Sequence, residues 1–229
     1  AIGDIHGRQD SLKHLLDRLE ILEESQNQLV QYVFLGDYID RGPESAQVLD
    51  TIIDWHTQHN SIFLLGNHEA TLLQFLDAPI QNSEWLNFGG IDTVLSYGIR
   101  MPVGRLSNSQ IVSLSEELKN AIKEEHLDFL TNLKLSYECA DYLFVHAGVY
   151  VDRPLSKNDK QSLLWMREPF LSSNTLFEKI IVHGHTITQN FEPEIRPNRI
   201  GIDTGSYLNG KITALIIDGA HRNFLFSTD

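Results

Sequence analysis

Basic residues and cysteine are scarce in this 229-residue chain: 18 Lys and Arg stand against 31 Asp and Glu, with one Cys. The formal net charge of −13 argues against a nucleic-acid partner, because a phosphate backbone demands clustered Lys and Arg. An acidic surface also repels anionic small substrates. Bound divalent cations would reverse that field locally, since an ion is often the largest charge in its site. The lone Cys139 has no partner for an internal disulfide, so a reducing, cytoplasmic compartment is expected, with the thiol packed in the core. No apolar run approaches the roughly 20 residues that span a bilayer, and no basic-then-apolar leader is seen, so no membrane association is expected. The chain opens at Ala1-Ile2-Gly3-Asp4 without a Met, and a few residues of a first strand are expected to precede it. Internal repeats, low-complexity stretches and linkers are also lacking, which predicts one domain over residues 1–229.

What is present alternates strand and helix. Ala1-Ile2 leads into the turn Gly3-Asp4-Ile5-His6-Gly7, and Leu12, Leu15, Leu16 and Leu19 follow at helical spacing, with Asp10 or Ser11 as the expected N-cap. Tyr32 to Leu35 reads as a buried strand ending at Gly36-Asp37. A helix carries Val48, Leu49, Ile52 and Ile53 on one face, and Ile62 to Leu65 is a third strand ending at Gly66-Asn67-His68-Glu69. Residues 83–133 are more polar and helical in pattern, expected to form a cap or insertion. Leu133 to Glu138 and Tyr142 to Val145 alternate as an antiparallel pair turning near Asp141 and ending at His146-Ala147-Gly148. A further strand reaches His183-Gly184-His185, and β segments follow at Ile200, Ile212 to Ile217 and Asn223 to Phe226.

Strand ends thus deliver one polar set into loops: Asp4, His6, Asp37, Asn67, His146 and His185. In open α/β sheets those ends are where ligands bind. Glycines accompany the set and let backbone approach a ligand closely. Carboxylate, imidazole and amide oxygen without thiolate suit Mn, Fe or Zn better than thiophilic metals. So many donor loops suit two ions, about 3.5–4 Å apart, sharing a carboxylate bridge and a water. Each fragment alone has an ordinary reading: Asp4-x-His6 as a turn and helix cap, Gly36-Asp37 as a turn, His146 as a satisfied histidine. Their occurrence together, each after an apolar strand, favours the metal reading.

Gly3-Asp4-Ile5-His6-Gly7, Gly36-Asp37-Tyr38-Ile39-Asp40-Arg41-Gly42, Gly66-Asn67-His68-Glu69, His146-Ala147-Gly148 and His183-Gly184-His185-Thr186 resemble the signatures of the phosphoprotein phosphatase family of calcineurin-like metallophosphoesterases. Leu164-Trp165-Met166-Arg167 and Gly201-Ile202-Asp203-Thr204-Gly205 are similar to its bacterial branch. The resemblance implies an α/β sandwich of two mixed β-sheets flanked by helices, and two divalent ions, manganese first with iron or zinc as alternatives. It implies Asp4 and His6 on the first metal, Asp37 bridging, and Asn67, His146 and His185 on the second. It further implies His68 as general acid oriented by Asp40, with Arg41 and Arg167 binding phosphate.

The implied activity is a serine/threonine protein phosphatase, a phosphomonoesterase in which a metal-bridging hydroxide attacks directly. Its partner is a phosphorylated protein or a small phosphate ester. The first alternative, a dinucleoside polyphosphate (diadenosine tetraphosphate) hydrolase, shares the architecture but typically departs in the second motif, where Asp40 and Arg41 keep the phosphatase pattern. A phosphodiesterase or nuclease usually has another histidine two residues after the one matching His185, where this chain has Ile187. A scaffold without turnover usually shows broken ligand motifs, and these are intact. Among the remaining residues, His14, His56, His59, His126 and His221 are expected on the surface, and the acidic stretch 116–125 as a solvated helix face. Helix packing is favoured over a substrate groove for Trp85, Gly89-Gly90 and Tyr97. Asp203 and His183 are balanced between partners of metal-bound histidines and turn residues.

Overall fold

Alternate residues of Tyr142-Leu143-Phe144-Val145 go to opposite cores, because successive side chains of a strand point to opposite faces. Tyr142 and Phe144 pack with Val33, Leu35, Val182, Ile200 and Leu215 between two sheets. Leu143 and Val145 pack with Leu163, Phe170 and Ile181 on the outer face. The computed structural model describes residues 1–26, 29–102 and 104–228.

Helix α1 (Gln9–Gln26) precedes β1 (Tyr32–Phe34), α2 (Ser45–Gln58), β2 (Ser61–Phe63) and α3 (Asn67–Asp77). The α1 residues Leu12, Leu15, Leu16 and Leu19 are buried, as are Val48, Leu49, Ile52 and Trp55 of α2, each set one helical face against the core. Strands β1 and β2 pair in parallel. Helix α1 starts before the expected caps, so Asp10 and Ser11 lie inside its first turn and the Asp10 carboxylate takes Arg8 at 3.1–3.2 Å instead.

Residues 83–133 contribute a 3-10 turn (Ser83–Phe88) and helices α4 (Gly90–Ser96), α5 (Asn108–Ala121) and α6 (Glu124–Thr131). Then come β3 (Ser136–Cys139), β4 (Tyr142–Val145), α7 (Lys160–Trp165), β5 (Ile180–His183), β6 (Glu194–Ile195), β7 (Arg199–Gly201), α8 (Ser206–Asn209), β8 (Thr213–Asp218) and β9 (His221–Phe226). One sheet runs β3-β4-β5-β7-β6, antiparallel at both ends and parallel within. The hairpin β8-β9 joins β1-β2 through Ile2, which bridges Phe34 in parallel and Ala214 antiparallel, making a second mixed sheet. Two mixed sheets flanked by helices are therefore the observed α/β architecture.

Two further expectations fail here. Cys139 is exposed, not packed, because it ends β3, an edge strand of which Tyr137 alone is partly buried. His126 is fully buried, not on the surface. Its Nδ1 faces the Tyr97 hydroxyl at 2.8 Å and its Nε2 faces Asp50 Oδ1 at 2.9 Å, while Lys123 pairs with the same Asp50. His14, His56 and His221 are exposed; His59 is half-buried and stacked on Trp55. Among the described residues no helix is long and apolar enough to cross a membrane.

Candidate metal centre

Five of the residues singled out from sequence, His6, Asp37, Asp40, Arg41 and His185, have φ between 49° and 71°, in the left-handed region that non-glycine residues rarely occupy. Such strain persists only where surrounding structure fixes it, and it clusters at ligand sites. Glycine is required nearby for space: a Cβ on Gly184 would strike Asp4 Oδ1, and one on Gly66 would strike the Asp37 carboxylate.

The loops after Ile2, β1, β2, β4 and β5 bring the predicted ligands together. Ligand atoms of Asp37, His146 and His185 lie within 4.8 Å of one another, and so do those of His6, Asp37 and His68. Asp37 belongs to both groups. Asn67 Oδ1 lies 2.9 Å from His146 Nε2 and 2.8 Å from His185 Nδ1. Asp4 joins the same pocket, its Oδ2 accepting the His185 backbone N–H at 3.0 Å. All six are buried.

Acceptors outnumber donors here, which fits a cation, although the His68 backbone N–H reaches Asp37 Oδ1 at 3.1 Å and Arg41 Nη1 lies 3.1 Å from His6 Nε2. His146 Nδ1 must donate to the Leu35 carbonyl at 2.9 Å, so its Nε2 carries a lone pair toward Asn67 Oδ1 and, at 3.4 Å, Asp37 Oδ1. His6 Nδ1 likewise donates to Ile39 O at 3.0 Å, turning its Nε2 toward Asp37 Oδ2 at 3.6 Å. Asp4 Oδ1 and His185 Nε2 are buried with no hydrogen-bond partner among the described residues. An unsatisfied buried polar atom costs about 1–3 kcal/mol, so a ligated ion would remove a standing penalty.

The electrostatics point the same way. Burial raises the Asp4 carboxyl well above its ordinary range, and the charges of Asp203 and Asp37 add to the rise. Burial also pushes Asp203 up to about 6. Burial raises Asp37, and the histidines around it, His146 first, outweigh that and hold it low, although of His146, His68 and His6 only His68 is itself shifted toward the charged form. Burial lowers His6 to about 3 and His185 to about 2, and lowers His146 too, leaving neutral imidazoles of the kind that ligate metals. His68 differs. Its burial is overcome by the charge of Asp37 and by a 2.7 Å bond from Nδ1 to Asp40 Oδ2, and its pKa rises. That shift favours the proton-donating form, which does not ligate, although His68 sits in one of the ligand groups.

Arg41 is half-buried, its Nη1 3.1 Å from His6 Nε2 and its guanidinium 4.6 Å above the Tyr207 ring. Arg167 is exposed and donates to Thr186 Oγ1 at 3.3 Å, beside His185. Trp165 stands edge-on to His185, with ring centroids 6.1 Å apart.

Other residues here had no role assigned from sequence. Glu69 is buried and accepts the backbone N–H groups of Gly66, Asp37, Tyr38 and Ile39 at 2.7–3.2 Å, clamping both ligand loops. Burial, then Asp37, pushes its pKa up to about 8 against those donors. Its signal was present in the Gly66-Asn67-His68-Glu69 run. Asp203 caps Gly205 N at 2.9 Å, a turn role, and also crowds Asp4 electrostatically. His183 contacts Arg199 Nη1 at 3.3 Å and its neighbour's carbonyl at 3.1 Å, among the described residues with no bond to a ligand histidine.

A profile described as calcineurin-like phosphoesterase matches residues 1–203, and the chain belongs to that family. The family uses divalent metals, in keeping with the ligand groups above. The chain is similar to asymmetrical bis(5'-nucleosyl)-tetraphosphatase PrpE of Anoxybacillus flavithermus, at 27% identity over 93% of this chain and 88% of that one. It is also similar to serine/threonine-protein phosphatase 2 of Escherichia coli, at 26% identity over 93% and 89%. In fold it resembles a cold-active protein tyrosine phosphatase, with TM-score 0.61 and 18% identity over 97% of this chain and 74% of the other.

Proposed function

We propose that this metallophosphoesterase is a phosphomonoesterase acting on phosphoserine and phosphothreonine in proteins, with two divalent ions, manganese first. The observation that carries the reading is the His68–Asp40 pair, buried and 2.7 Å apart beside the ligand pocket. Asp4 and His6 would hold one ion, Asn67, His146 and His185 the other, and Asp37 both. When bound, the ions supply Lewis acidity to the phosphate oxygens and to the attacking water.

The chain's own residues do the rest. Asp40 holds the proton on His68 Nδ1, so the Nε2 proton is the one available for transfer; Nε2 lies 3.9 Å from Asp37 Oδ2 and faces the pocket. A serine or threonine alkoxide is a poor leaving group, and a positioned acid contributes about 10²–10⁴-fold to its departure. Arg41 and Arg167 offer planar, bidentate donors to the phosphate oxygens. Burial of the ligand shell excludes competing water from the imidazoles.

A second reading, hydrolysis of dinucleoside tetraphosphates, is favoured by the likeness to the PrpE enzyme along 93% of this chain. Tyr207 beside Arg41 and Trp165 beside His185 give that reading aromatic faces near the phosphate-binding arginines. A polyphosphate leaving group is a weak base, however, and needs a proton donor less. The test is phosphate release from a phosphoserine peptide against cleavage of diadenosine tetraphosphate, with Mn, Fe or Zn loaded separately. Higher kcat/KM for the peptide is expected; higher kcat/KM for the dinucleotide overturns the protein-phosphatase reading and retains the metallophosphoesterase class.

A further inference from the structure

We infer that Trp85 and Thr93 are positioning residues for the proton donor, fixing the Asp40 carboxylate and through it the His68 imidazole. The 83–96 segment thereby becomes part of the catalytic apparatus. The inference rests on the reading of His68 as general acid.

Asp40 is fully buried, and its carboxylate has a donor on each oxygen. Oδ2 takes His68 Nδ1 at 2.7 Å and the Trp85 indole N–H at 2.8 Å; Oδ1 takes the Thr93 hydroxyl at 2.6 Å. The same Thr93 hydroxyl accepts the Asp40 backbone N–H at 3.0 Å, as Ser45 Oγ does, where φ is 71°. A carboxylate rotates readily about its last torsion, so one bond to an imidazole would leave its plane free. Donors on both oxygens remove that freedom, and charge-assisted bonds of this length are the strong kind. The donors are themselves fixed. Trp85 is 1% exposed, its ring 4.9 Å from that of Phe75 and lying so close to Gly90 that a Cβ there would meet the indole. Thr93 is fully buried on α4. The Arg41 backbone N–H also reaches this segment, at Gly89 O, 3.2 Å. One segment therefore sets both the acid's partner and the backbone of the phosphate-binding arginine. Such precision matters because a misplacement of about 1 Å in a catalytic group can cost about 10²-fold.

The test compares a phosphoserine peptide, whose leaving group needs a proton, with para-nitrophenyl phosphate, whose leaving group needs little. Trp85→Phe keeps the ring and removes the donor; Thr93→Val keeps the shape and removes the hydroxyl; Thr93→Ser keeps the hydroxyl. Trp85→Phe and Thr93→Val are expected to lower kcat on the peptide about 10-fold more than on the aryl ester, in the direction set by His68→Asn. Thr93→Ser is expected to restore the wild-type ratio. Bound metal, measured alongside, is expected to stay at the wild-type level. Equal losses on both esters, or an unchanged ratio with or without metal loss, overturn the inference while the wild type and His68→Asn leave the acid assignment standing. A wild type inert toward both esters overturns the proposed function and this inference with it.

Discussion

Among the described residues, histidine and carboxylate gather within ligand distance around Asp37 and around Asp50, and the difference between the two places separates a candidate metal pocket from an ion-pair network. Around Asp50, His126 and Glu125 lie close enough to ligate, but Lys123 is already seated on Asp50 and the Tyr97 hydroxyl satisfies His126. Around Asp37, lone pairs face one another and two buried atoms have no partner. Counting ligand types would rank the clusters together. Counting unmet acceptors divides them.

The largest expected effect comes from removing the shared carboxylate. Asp37→Asn is expected to lose both ions, measured by elemental analysis, and with them measurable turnover; full loading would refute the bridging role. Next, His68→Asn is expected to lower kcat by about 10²–10⁴-fold with metal content intact. Metal uptake carries its own sign. A raised Asp4 pKa means the metal-free carboxyl holds its proton to higher pH than an ordinary carboxylate does, so an entering ion competes with that proton. Loading is therefore expected to release a proton and to weaken as pH falls, read by calorimetry in buffers of different ionisation enthalpy. The Asp50 cluster should show none of this. His126→Ala is expected to cost about 1–3 kcal/mol in urea unfolding, by orphaning its partners, with metal content unchanged. Lys123→Met is the smallest, with no separable shift of the unfolding midpoint at high salt, because its pair is half-exposed.

Much of this was legible in the chain. The leucines of α1 are a local pattern that located its buried face, and the β3-β4 antiparallel pair was likewise legible, although β4 proves buried on both faces. The candidate ligands were legible because each ends an apolar strand beside tight turns, a local signature of a shared rim. What escaped depends on partners distant in sequence. Cys139 looked like a core thiol because strand order alone reveals that β3 is an edge. His126 looked solvated because the residues that bury and satisfy it, Tyr97 and Asp50, come from α4's end and from α2. Packing was the right reading for Trp85, yet its indole N–H meets a carboxylate 45 positions earlier. Glu69 sat within a recognised motif, but its four backbone partners require the folded loops.

The seam at Ile2 has a mechanical consequence. The short segment from Ala1 to Gly3, with Ile2 at its centre, links the β1-β2 pair to the β8-β9 hairpin, and the loop carrying Asp4 and His6 leaves directly from it. Cations gripped by that loop and by His146 and His185 from the other sheet would act as rivets across the sandwich. Occupancy should then slow amide exchange at Ile2 and Leu215 more than at the remote hairpin turn of β8-β9, because whatever binds the closed form alone resists its opening.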